Sequence, residues 1–67
     1  MNAVKREASV ELVDGYAVIG ADGRPTRVVE QATVTLEGGF AHLEIPGTGV
    51  VQTVSAPAVR LITFRSA

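Results

Sequence analysis

The sequence predicts an all-β domain, and three observations carry that prediction. Apolar and polar residues alternate with period two over Ala8–Leu12, Ala32–Leu36 and Ala41–Ile45; valine and threonine are abundant; and glycine-based turn signals recur at short intervals. No stretch shows the 3.6-residue apolar period of an amphipathic helix. The expected architecture is about five or six short strands in a small barrel or a curled antiparallel sheet, with no substantial helix.

The bulk properties bound the rest. A chain of 67 residues is one small domain with a marginal core. Residues 1–6 are expected as a flexible lead-in and residues 7–67 as a single β domain. With 46% hydrophobic and 19% charged residues, the composition is that of a globular chain. There is no cysteine, which excludes a disulfide staple and a thiolate zinc site. A net charge of −1 speaks against a dedicated nucleic-acid binder, whose affinity comes from cations neutralising phosphates. No apolar run is long enough to span a bilayer and no signal-peptide core follows Met1, so a cytoplasmic protein without a membrane partner is expected.

The central element is the stretch Ala32–Ile45. Gly38-Gly39 supplies the positive φ angles of a tight hairpin turn. A two-residue loop sets Glu37 opposite Phe40, Leu36 opposite Ala41, Thr35 opposite His42 and Val34 opposite Leu43. Opposed residues share a face, so Ala32, Val34, Leu36, Ala41, Leu43 and Ile45 gather on one side, and a one-residue slip would mix the faces.

Upstream, Glu7–Gly20 reads as a second hairpin closed by Asp14-Gly15, with Leu12 opposite Ala17 and Val10 opposite Ile19. Val10–Ile19 and Val34–Leu43 share the pattern Val-x-Leu-x-x-Gly-aromatic-Ala-x-aliphatic. An internal duplication or the convergence of two tight hairpins both give this pattern, and the divergence after Gly23 and Gly47 favours convergence. Ala21–Thr26 is a turn-rich loop in which Pro25 breaks any ladder. In the long strand that follows, Glu30 shares the inward parity of Ala32, a conflict that a β-bulge near Glu30-Gln31 resolves.

Downstream, Pro46–Gly49 is a four-residue loop that sets Ala41 against Val54 and places Gln52 inward, opposite Leu43, where its amide needs a hydrogen-bond partner. Ser55–Ala58 suits one 3₁₀ turn with Ser55 as its cap. The last strand, Val59–Arg65, reads as apolar on both faces, with Val59 and Leu61 on one and Ile62 and Phe64 on the other. From the long strand onward, this succession of curved strand, tight hairpin, strand, Pro-containing turn and final strand resembles an SH3-like barrel. The resemblance is topological and brings no motif, ligand or residue role with it.

Chemistry is sparse. His42 is the only histidine, its expected neighbours Thr35 and Thr53 offer no carboxylate to orient it, and no serine has a nucleophile's setting. No catalytic residue, metal, cofactor or small-molecule substrate is expected. The favoured function is a non-enzymatic protein-interaction or assembly module, a homodimer or subunit of a complex, self-associating through the two-faced last strand. Interaction candidates are the aromatics Tyr16 and Phe40, which follow the two turns, together with Ile62, Phe64, Arg24 and Arg27. The alternative is a small nucleic-acid-associated regulator using Arg24, Arg27, Arg60 and Arg65, a reading that the net charge disfavours.

Overall fold

The computed structural model describes residues 5–65. Its strands are β1 (Arg6–Leu12), β2 (Val18–Ile19), β3 (Pro25–Thr26), β4 (Val28–Glu37), β5 (Phe40–Glu44), β6 (Val51–Ser55) and β7 (Val59–Phe64), with a 3₁₀ turn at Ala56–Ala58. Five of them form one antiparallel sheet in the order β6-β5-β4-β1-β7, and β2 pairs only with β3. Of the lead-in expected over residues 1–6, residues 1–4 lie outside the described residues, whereas Arg6 already stands in β1 opposite Val34.

The β4–β5 hairpin has the register that its alternation dictates, from Thr33 opposite Glu44 to Glu37 opposite Phe40. Gly38 and Gly39 both take positive φ, 57° and 85°. That is a type I′ turn, whose twist matches that of the flanking strands. Ala32, Val34, Ala41, Leu43 and Ile45 are buried on the inner face. Leu36 shares that face but lies at the hairpin tip, where little covers it, and remains 51% exposed.

The second hairpin does not form as expected. β1 pairs with β4 on one side and β7 on the other, so no edge is left for residues 16–20. Asp14-Gly15 is still a turn, closed by the Tyr16 amide donating to the Val13 carbonyl. Only Gly15 has positive φ there, which makes it a type II turn, and this geometry splays strands instead of pairing them. The inward parity also reverses: Val18 is buried, while Ile19 is 45% exposed. Residues 18–26 are instead a small hairpin of their own, with Val18 opposite Thr26 and Ile19 opposite Pro25, so Pro25 stands in a short ladder that it was expected to break.

Two bulges set which residues reach the core. Between β1 and β4 the register passes from Ala8–Ala32 to Val10–Val29, leaving Glu30 and Gln31 opposite Ser9. Both bulge residues are exposed, and Val29 and Ala32 are both buried. Between β1 and β7, Glu11 opposes Leu61 and Leu12 opposes Val59, so Arg60 is the inserted residue. This corrects the two-faced reading of the last strand. Val59, Ile62 and Phe64 all pack against the core, and Leu61 alone is left on the outer face.

β5 and β6 pair in the expected register, Ala41 with Val54 and Leu43 with Gln52. The Gln52 amide finds its partner across the fold: it accepts from the Ile19 N–H and donates to the Ile19 carbonyl, both at 2.7 Å. One side chain thus pairs with β2 as a neighbouring strand would. The 3₁₀ turn forms, but Ser55 makes no side-chain cap bond.

The sheet is open, with β6 and β7 as its edges, so a closed barrel is not formed. A flat five-stranded sheet would separate its edges by about 19 Å. The 3₁₀ turn joining Ser55 to Val59 spans only about 8 Å, which requires the sheet to curl until its edges approach at one corner. That corner is held from both sides: the Ala56 N–H donates to the Gly39 carbonyl and the Val13 N–H to the Ala58 carbonyl.

The core inside this curl is made of small aliphatics, with only Leu12, Leu43 and Ile45 larger than valine among its buried members. Five side chains larger than valine, Tyr16, Ile19, Leu36, Phe40 and Leu61, are exposed among the described residues, more than the three buried in the core.

Candidate functional site

The curl leaves one part of its inner face uncovered. Between the hairpin tip and the start of β7 lies an apolar cavity of about 450 Å³, walled by Leu36, Gly38-Gly39, Phe40, Ala41, Ala56, Val59 and Ile62. Its position follows from the local sequence. The type I′ turn ends β4 abruptly, so Leu36 stands at the rim of the inner face with only Ala41 opposite it. Ala41 and Ala56 are too short to fill the space, and the 3₁₀ turn forms the wall beyond them. Phe40 is 51% exposed at the other lip.

The cavity holds one ionisable side chain, Glu37, and this is turned to the outer face by His42, whose Nε2 lies 3.2 Å from Glu37 Oε1. The walls that remain are apolar, which suits an apolar side chain of a ligand.

The outer face of β4, β5 and β6 carries a more chemical arrangement. His42 Nδ1 lies 2.8 Å from Thr53 Oγ1 while its Nε2 faces Glu37, giving the order hydroxyl, imidazole, carboxylate. The carboxylate orienter absent from the expected neighbours of His42 is therefore present, reaching diagonally from two residues along β4. The order is that of a catalytic relay. It lies on a convex sheet face, however, and neither His42 nor Thr53 lines the apolar cavity. These contacts link β4, β5 and β6 across the outer face. Among the described residues, no cluster of three or more His, Asp or Glu side chains could hold a metal ion.

The interaction candidates separate. Phe40 and Ile62 meet at the cavity. Tyr16 is exposed, on the connector after Asp14-Gly15, and does not line it. Phe64 is half-buried against the core with the Arg6 guanidinium 4.6 Å above its ring, a cation–π contact in place of the free face expected of it. Sequence reasoning missed Leu36, which it assigned to the core. The available signal was its place as the last inward residue before the turn.

The arginines do not make a free basic patch. Arg27 is paired with Asp14, and Arg60 lies 3.7 Å from Glu11. Arg65 reaches only the Glu30 backbone carbonyl, so Arg24 and Arg65, both exposed and on different parts of the fold, are the two of that group without a carboxylate among the described residues. No helix among the described residues is long and apolar enough to cross a membrane. Comparison with protein-family models, curated proteins and solved structures finds no match, so the reading of the site rests on its geometry.

Proposed function

We propose that this protein is a non-enzymatic interaction module that holds a short apolar segment of a protein partner in the cavity between the hairpin tip and β7. The observation that carries the reading is Leu36, an inward-facing leucine left half exposed beside Phe40 and Ile62. In a domain whose core is mostly alanine and valine, large side chains at an open cavity are the anchors a partner would use. The strand order supports an SH3-like arrangement, since β1 lies between β4 and β7 and a three-residue 3₁₀ turn links the two edge strands. A cytoplasmic setting is part of the same proposal.

The test is a selection of short peptides from a random library on the immobilised protein, followed by titration of the selected peptides. Leu36→Asp should weaken their binding at least tenfold, about 1.4 kcal/mol or more, with the fold unchanged. A library that yields no binders, or binders indifferent to Leu36→Asp, would count against the reading. The nucleic-acid alternative is checked by titrating labelled DNA and RNA at low and moderate salt, because electrostatic binding must weaken steeply as salt rises. The pairing of Arg27 and Arg60 leads us to expect no binding at either.

A further inference from the structure

The two edges of the sheet differ. β7 is blunted by the bulge at Arg60 and carries that arginine on its length, with Arg65 one residue past its end. Bulges and charges on an edge strand are the usual means of keeping another chain from pairing with it. β6 has neither device. Its register with β5 is continuous, and from Ile45 to Val59 the sequence contains no Asp, Glu, Lys or Arg.

The hydrogen-bonding phase of β6 follows from the central hairpin. In a two-residue type I′ hairpin the residues flanking the turn exchange backbone bonds, so Phe40, His42 and Glu44 direct theirs to β4. Ala41 and Leu43 then bond to Val54 and Gln52 of β6. Val51 and Thr53 therefore turn their N–H and C=O groups away from the sheet, and Ser55 its N–H, while the Ser55 carbonyl caps the 3₁₀ turn; among the described residues β6 has no second neighbouring strand.

We propose that a second copy of this chain pairs with the free edge of β6, antiparallel and about a two-fold axis at Thr53, joining two five-stranded sheets into one. In that register Thr53 exchanges both backbone bonds with its own counterpart, and Val51 faces Ser55, whose N–H donates to the Val51 carbonyl. Thr–Thr is a favourable cross-strand pair. Charge selects this edge over the other: β6 against β6 opposes no like charges, whereas β7 against β7 brings arginines together along one seam. The association is isologous and closes at the dimer. It leaves the apolar cavity free, since none of Val51, Thr53 and Ser55 lines it.

Sedimentation equilibrium of the full chain up to about 1 mM tests the proposal, in a range where even weak dimers form. The wild-type mass should rise from monomer toward twice that value. Thr53→Lys, which sets two ammonium groups opposite each other at the axis, should weaken dimerisation at least tenfold, and Leu61→Lys on the outer face of β7 should leave it unchanged. Hydrogen exchange on the wild type supplies a readout independent of any variant: the Val51, Thr53 and Ser55 amides should slow as concentration rises. Leu36→Asp should abolish peptide capture and leave the dimer intact, which separates failure of this proposal from failure of the binding reading. A monomer at every concentration, or a dimer indifferent to Thr53→Lys with no slowing at β6, would overturn the proposal.

Discussion

Val10–Ile19 and Val34–Leu43 carry nearly the same apolar pattern and adopt different structures. The second is a hairpin closed by two residues of positive φ; the first is a strand, a turn with one positive φ, and a chain that leaves in another direction. Equivalent positions consequently meet opposite fates, Leu43 fully buried and Ile19 45% exposed. Shared alternation says that both segments have an inner face. Turn geometry and competition for strand edges decide what each of them pairs with.

The largest expected effect sharpens that contrast. Leu43→Ala should cost about 2–5 kcal/mol, because it empties a fully enclosed site, whereas Ile19→Ala should change stability by no more than about 0.5 kcal/mol. Urea denaturation of the two variants reads the difference, and similar losses at both would restore the paired-hairpin reading. Next in size is Gly39→Val. A β-branched residue at φ 85° is strained by about 1–3 kcal/mol even though open space surrounds the position. Gln52→Ala should cost about 1 kcal/mol by releasing the Ile19 backbone, and it should speed amide exchange at Ile19 without altering β4–β5. The smallest effect runs the other way. Gly38→Asn should be neutral or stabilising by up to about 0.5 kcal/mol, since Asn-Gly is a favoured type I′ pair and restricts the unfolded chain. A clear loss in thermal unfolding would show that the turn is not of that type.

What could be read from the sequence divides along the same line. The central hairpin, the β6 register and the bulge at Glu30-Gln31 were legible because each rests on a local constraint: a two-glycine turn, a short loop, a carboxylate with the wrong parity. The bulge at Arg60 left no such conflict, since Val59, Leu61, Ile62 and Phe64 are apolar whichever face they take. The partners of β1 were not legible, because strict alternation suits any neighbouring strand and the choice between them is made at long range. At the site, Phe40 and Ile62 were identified from their exposed or two-faced positions, although Ile62 reaches the cavity from the inner face. Leu36 and the Glu37–His42 contact depend on what stands beyond the hairpin tip and diagonally across strands, which a list of opposed pairs does not contain.

The place of β1 also bears on how the chain is made. It is first among the strands in sequence yet lies inside the sheet, with Ala8 opposite Ala32 on one side and Phe64 on the other. The β4–β5–β6 meander closes short loops and assembles early, while the β1–β7 ladder waits on the largest loop closure in the domain. During synthesis, then, β1 keeps one flank open until β7 has emerged from the ribosome. The seam on which β1 depends is completed by the described strand farthest from it in sequence.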